Sequence, residues 1–383
     1  MTIASYPTCI SFTYGNGIAI KGVDDTPEPP TGRDAVGYIN ASGVTANSWL
    51  NITFHYNSQD ELKVDEFTLK IWKWNGSWYE EGWNGSRLID TNKNIVGVNI
   101  TSFSIFAPLG LEATPPLSHV DAVSPHCQDL PAIITATAID LPTYGSGVAN
   151  VTLYYRYSFH NSSWSPWMEY ARDETEPWQW AFNPTNGSGY YQFYSIAIDN
   201  HGNVEQKSPL MEAWLCVPYN YTFHLVKGWN LITLPVKNSI SKASELASLI
   251  GSNCTVIVKW DSEKQRYIDY VVGITSTNNI DFDIEDGIAY FVGMKGNENV
   301  SIKGCLFDSM DVPLHTGYNL IGWVNMEATN SSSIEQSMAA IDSLWDWNET
   351  MQQFIGFPIN LFNITIADGF FVHVVNEATW HGI

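Results

Sequence analysis

The sequence predicts a mainly β protein: tandem Ig-like β-sandwich domains followed by two repeated β-rich modules, each with one short helix. Three observations carry this. Aromatic residues make up 14% of the 383 residues, with 16 Trp and 19 Tyr, a composition suited to half-buried strands. Apolar and polar residues alternate over short runs bounded by Gly, Pro and Asn clusters. A block of residues recurs late in the chain, so its end is built twice.

Four segments follow from the punctuation: 1–111, a β-sandwich module with a strand-like start; 117–219, an Ig-like sandwich; 222–306, repeat copy one; and 312–383, repeat copy two. Residues Glu112 to Pro116 form a Pro-rich linker after the first. In the first, Cys9 to Tyr14 and Gly17 to Ile20 read as strands free to add to a neighbouring subunit's sheet. In the second, strands are expected at Ile133 to Ala138, Val151 to Tyr157, Trp178 to Phe182, Tyr190 to Ile198 and Glu212 to Val217, with Gly189-Tyr-Tyr191 supplying a tyrosine corner. In the repeat, Gly228-Trp-Asn-Leu-Ile232 recurs as Gly317-Tyr-Asn-Leu-Ile321. Helices are expected at Ala243 to Ile250 and Ile334 to Ile341, the latter opened by a capping box of Ser332 and Glu335. Lys259-Trp-Asp261 then matches Asp346-Trp-Asn348, Gln265-Arg-Tyr267 matches Gln352-Gln-Phe354, and Tyr290-Phe-Val292 matches Phe370-Phe-Val372.

The balance of 40 acidic against 18 basic residues gives a net charge of −22. A phosphate backbone needs a basic footprint, so nucleic acid is excluded as a partner, as is an anionic membrane surface. No apolar run reaches the roughly 20 residues of a spanning helix.

Acceptor triplets of the form Asn-x-Ser/Thr set the compartment. With 31 Asn and 60 Ser plus Thr, chance gives about 5 triplets, yet 14 occur. They begin at Asn40, Asn51, Asn75, Asn84, Asn99, Asn150, Asn161, Asn186, Asn220, Asn253, Asn299, Asn330, Asn348 and Asn363. Covalent N-glycans and an extracellular or cell-surface location are therefore expected. Met1 to Ile20 has neither the basic nor the apolar part of a signal peptide, so the sequence reads as a processed chain.

Five cysteines make an odd set. Cys254 and Cys305 align with Ile341 and Ile383 of copy two, as a bridge lost as a unit would, which predicts Cys254–Cys305. Cys127 and Cys216 bracket the second segment and form the second expected bridge, leaving Cys9 over. Both bridges call for an oxidising compartment.

Chemistry is sparse. The nine His lack ligand spacing, and no metalloprotease, phosphate-loop or nucleophile-elbow motif occurs, so no catalytic residue is assigned and the chain reads as non-enzymatic. The densest acidic run offers Asp281, Asp283 and Glu285 as Ca²⁺ ligands, weighed against an exposed strand face with Phe282 and Ile284 turned inward. No other cofactor is implied. Trp72, Trp74, Trp78 and Trp83 are the residues that could stack sugars, weighed against sandwich packing.

Several stretches resemble a known group. Gly147 to Tyr157, Trp164-Ser-Pro-Trp167, Gly189 to Ala197 and Asp199-Asn-His-Gly-Asn203 are similar to the Ig-like modules of archaeal modular cell-surface glycoproteins, S-layer-like or filament-forming. Trp49 to Thr53, Leu69-Lys-Ile-Trp72, Trp74 to Ser77 and Ile100 to Ala107 resemble another module of such proteins, and so do the Gly-Trp-Asn-Leu-Ile repeats. The resemblance implies a secreted, glycosylated structural protein of archaeal type. Together with the residues it points to self-association into a homopolymer through strand addition. A monomeric carbohydrate-binding adhesin and an accessory region of a larger secreted enzyme are the competing readings.

Overall fold

The computed structural model describes all residues except 1, 5–8, 15–17, 22, 44–48, 81–84, 142–144 and 383. It is mainly β, and its strands pair antiparallel. No described helix is long and apolar enough to cross a membrane.

The first unit is two facing sheets. One runs in the order Thr2–Ala4, Cys9–Tyr14, Leu50–His55, Ile95–Ile100, Gly85–Asp90. The other is built on Ile18–Lys21, Ile39–Gly43, Ile105–Glu112, Val64–Trp74 and Trp78–Tyr79, with Arg33–Ala35 also pairing Ile105–Glu112. Period-two alternation sends Leu50, Ile52 and Phe54 inward against Ile39, Ile71 and Phe106, with Asn51 and Thr53 facing out. The start of the chain departs from expectation. Cys9–Tyr14 is not a free donor strand but pairs along its whole length with Leu50–His55, and Ile18–Lys21 pairs with Ile39–Gly43. Both edges would otherwise leave backbone groups unpaired.

The second unit sets Leu117–Val120, Ala132–Ile139 and Gln179–Phe182 against Met168–Asp173, Val148–Ser158, Gly189–Asp199 and Ala213–Val217. Phe182 is fully buried and meets Tyr155, Tyr191 and Phe193 edge-on. The tyrosine corner forms: Tyr191 Oη donates to Gly187 O at 2.7 Å. Two short strands, Leu117–Val120 and Met168–Asp173, escape sequence reading because they are half-exposed and lack clean alternation.

The two repeats share one plan. Gly228–Thr233, Ala289–Met294, Cys254–Asp261 and Arg266–Val271 form a sheet in that order, and Gly317–Gly322, Gly369–Val374, Ile341–Asn348 and Gln353–Phe357 form its counterpart. Even a bulge recurs, between Cys254 and Val256 and between Ile341 and Ser343. The first helix is Ala243–Ile250, as expected, burying Leu246 and Ile250. The second is displaced toward the N-terminus: it spans Ser331–Ser337, not Ile334 to Ile341. Asn330, rather than Ser332, caps it, with Oδ1 accepting from Ser333 N at 2.9 Å. Met338 leaves helical geometry, and Ile341 opens the next strand instead of ending the helix.

Candidate functional site

The repeat motif acquires a meaning once the copies are seen together, because each repeat docks on the other. Gly228 and Gly317 both have φ of 105°, and a Cβ there would meet the other copy's Gln352 and Gln265 at 2.5 and 2.7 Å. Glycine therefore lets a glutamine reach the backbone. Gln352 Oε1 accepts from Trp229 N (2.7 Å), and Gln265 Oε1 accepts from Tyr318 N (2.9 Å). Trp347 Nε1 donates to Trp229 O (2.9 Å), and Trp260 Nε1 donates to Tyr318 O (2.7 Å). The motif asparagines staple the preceding turns: Asn230 to Val226 and Asn319 to His315, each through both its oxygen and its nitrogen. Leu231 and Leu320 enter a core shared by the copies with Ala289, Phe291 and Phe371, while Ile232 and Ile321 enter the separate cores. The contact is a pseudo-two-fold. Its rim is an aromatic belt with two shallow clefts of about 310 and 230 Å³, where Trp229, Tyr267, Tyr318 and Phe354 stay exposed.

The symmetry breaks where Asp346 stands in place of Lys259. Lys259 pairs with Glu285, whereas Asp346 faces Asp368 and Glu349. Burial, then those two like charges, push the Asp346 carboxyl up to about 7. A carboxyl raised in the folded state binds a proton that the unfolded chain has lost. Stability from this group is therefore present at low pH and lost as pH rises from the ordinary value of 3.8 toward 7. Asp346→Asn is expected to raise the melting temperature at pH about 8 and flatten its decline across that window. Melts at several pH values check this, and an unchanged or lower midpoint at high pH would contradict it.

The cysteines correct the sequence reading. The bridge is Cys216–Cys305, with Cα atoms 6.2 Å apart, and neither Cys254–Cys305 nor Cys127–Cys216 forms. Strand parity explains the first error. On the strand Glu298–Leu306, Val300, Ile302 and Leu306 turn to the core that holds Cys254, so Cys305 points to the opposite face, toward the second unit. Cys254 stays buried among apolar side chains, and burial pushes its thiol up to about 11. Cys127 is close: its backbone pairs with Cys216, and its Sγ lies 2.8 Å from Cys305 Sγ. Burial raises its thiol too, which disfavours the thiolate. The side chain of Cys9 lies outside the described residues. Tyr190 Oη donates to Leu306 O and Lys303 pairs with Asp129 across the same joint, which borders a cleft of about 690 Å³.

The acidic run does not converge. Asp281 accepts from Ser244 N and Oγ, Asp283 pairs with Lys242 at 2.6 Å, and Glu285 pairs with Lys259. Each carboxylate has its own partner, and Phe282 is buried, as the packing alternative expects, but the run is not a strand. In the first unit, Arg33 sits over Trp72 at 4.9 Å, Trp74 packs on Trp78, and Trp78 Nε1 donates to Glu28 O. These are packing contacts of half-buried rings. Trp83 lies outside the described residues.

Of the acceptor asparagines, Asn84 lies outside the described residues and none of the others is buried. Asn75, Asn99, Asn186, Asn220, Asn299 and Asn363 are exposed; Asn40, Asn51, Asn150, Asn161, Asn253, Asn330 and Asn348 are intermediate. Asn330 and Asn348 engage the backbone through Oδ1, whereas Asn161 and Asn253 donate Nδ2 to Asp308 and Glu298.

Antiparallel β modules in series, locked by one bridge between modules and one internal pseudo-two-fold, define the class of molecule. No family model matches the chain, and no curated protein matches it. Among solved structures it is similar to the crystal structure of the chicken CNTN1 FN1-FN3 domains, at 11% identity, covering 76% of this chain and 99% of that one. The TM-score is 0.23, too loose a likeness to place any residue.

Proposed function

We propose that this chain is a non-enzymatic structural glycoprotein of the cell exterior that self-assembles into a surface filament or S-layer-like array. The observation that carries the reading is that none of the described acceptor asparagines is buried, and Asn75, Asn99, Asn186, Asn220, Asn299 and Asn363 are exposed. The Cys216–Cys305 bridge supports an oxidising compartment. The strand Gly85–Asp90 ends its sheet, and Leu88 on it is exposed, which suits strand addition by a second copy. Cys9–Tyr14, by contrast, lies inside the sheet, paired with Leu50–His55 on one side and with Thr2–Ala4 on the other, so the polymer contact is placed on the longer edge strand Gly85–Asp90.

Intact-mass measurement and negative-stain microscopy of native material test the proposal together. The expected result is a mass well above that of the bare 42.9 kDa chain, with filaments or sheets on the grid. Leu88→Lys is expected to abolish them while leaving the circular dichroism spectrum unchanged. Bare mass with monomers only would overturn the reading.

A carbohydrate-binding adhesin is the second reading, favoured by the exposed aromatic belt of the paired repeats. Glycan binding by a discrete monomer, lost in Trp229→Ala with Tyr318→Ala, would select it.

A further inference from the structure

Glu112 ends the strand Ile105–Glu112 and is the last strand residue of the first unit. Its side chain is wholly buried and reaches into the second unit. There Oε2 accepts from Ser146 N at 3.2 Å and lies 3.7 Å from His201 Nδ1. Asp140, just beyond the strand Ala132–Ile139, and Asp199, at the end of Gly189–Asp199, converge on it. One oxygen from each of the three carboxylates lies within 4.8 Å of the others.

Half of this cluster is satisfied by the protein. Asp140 Oδ2 accepts from Gly147 N (2.6 Å). Asp199 Oδ1 accepts from His201 N and Asn203 N (2.9 and 2.8 Å), and its Oδ2 accepts from Asn203 Nδ2 (2.7 Å). The other half is not satisfied. Glu112 Oε1 and Asp140 Oδ1 are both buried with no hydrogen-bond partner, and the Ser146 hydroxyl lies beside both carboxylates. Three carboxylates thus meet at a largely buried joint, and among the described residues their one ion-pair partner is His201, 3.7 Å from Glu112. Buried charge is tolerated when it is paired or coordinates a metal.

We infer that Glu112, Asp140 and Asp199, with the Ser146 hydroxyl, form a calcium site at the joint between the first and second units. The unsatisfied atoms are all oxygens, the donors of a hard cation, and no sulfur is among them. Ca²⁺ takes six to eight oxygens in adaptable geometry, mono- or bidentate, whereas Mg²⁺ demands a strict octahedron and keeps several waters. Three carboxylates with two unpartnered oxygens fit the first. Such an ion reinforces a contact already present, the donation from Asn203 Nδ2 to Glu112 O at 3.1 Å. The inference does not depend on whether the chain is a polymer or an adhesin.

The test uses the full chain stripped with chelator and titrated with CaCl2 by calorimetry, with thermal melts in parallel. The expected result is one strong site per chain, with a dissociation constant on the order of 0.1–1 mM or tighter. Calcium should also raise the melting temperature, with MgCl2 at least about tenfold weaker. Glu112→Gln and Asp140→Asn should each bind Ca²⁺ at least about tenfold more weakly and lose the calcium-dependent shift. Without calcium both should melt no lower than the parent, since each removes one of three like charges. Asp283→Asn, in the acidic run, should keep the full response. No binding up to about 10 mM, or a parent-like response in both Glu112→Gln and Asp140→Asn, would overturn the assignment.

Discussion

Phe291→Ala is expected to destabilise the paired repeats by about 3–5 kcal/mol, the range for emptying a buried aromatic position. Phe291 is 6% exposed and sits where the two copies meet. Its ring centroid lies 5.7 Å from Trp347, 6.1 Å from Phe354 and 6.4 Å from Phe371, all in copy two, and 6.2 Å from Trp229 in its own copy. The counterpart Phe371 meets Trp260 at 5.6 Å and Tyr318 at 6.2 Å. Because the contact is reciprocal, one deletion weakens both copies, and their unfolding should shift as a single transition. Urea unfolding followed by tryptophan fluorescence reads this directly, since Trp229 and Trp347 flank the cavity. A loss below about 1 kcal/mol would mean that the copies do not dock face to face.

Cys305→Ser is expected to lower stability by roughly 2–4 kcal/mol, since the bridge closes a long loop and restricts the unfolded chain. The loop spans a sequence separation of 89 residues and ties the second unit to the first repeat. Reductant should produce the same drop in the parent and none in Cys305→Ser. Cys127→Ser is expected to leave the bridge intact. Peptide mapping without reduction decides the pairing: a fragment joining Cys127 to Cys216 or Cys305 would contradict Cys216–Cys305.

The β class and the repeat were legible because they rest on local pattern. Leu50, Ile52 and Phe54 alternate with polar residues, and that alternation is all a half-buried strand requires. The motif Gly-Trp-Asn-Leu-Ile was visible as a repeat, but its purpose was not. Gly228 is explained only by Gln352, which no local rule brings near it. The helix of copy two starts earlier than expected because Ser332 and Glu335 mimic a capping box, while Asn330, two residues upstream, accepts from Ser333 N and opens the helix there. The cysteine pairing failed for a different reason. Alignment identified two residues that changed together, but strand parity sends them to opposite sides of a sheet. The acids around Asp283 are close in sequence, yet each has its own partner: Asp281 the Ser244 N–H and hydroxyl, Asp283 Lys242, and Glu285 Lys259. Glu112, Asp140 and Asp199 are far apart along the chain and converge only through three strand ends in two units.

The Cys216–Cys305 bond also sets the route by which tension crosses the molecule. A pull applied at the two ends enters the first repeat beside Cys216 and leaves it beside Cys305, so the load runs through the sulfurs and bypasses nearly all of Tyr219–Leu225 to Glu298–Leu306. That repeat can be stretched only after reduction, which would then release roughly 300 Å of slack at about 3.3–3.6 Å per residue.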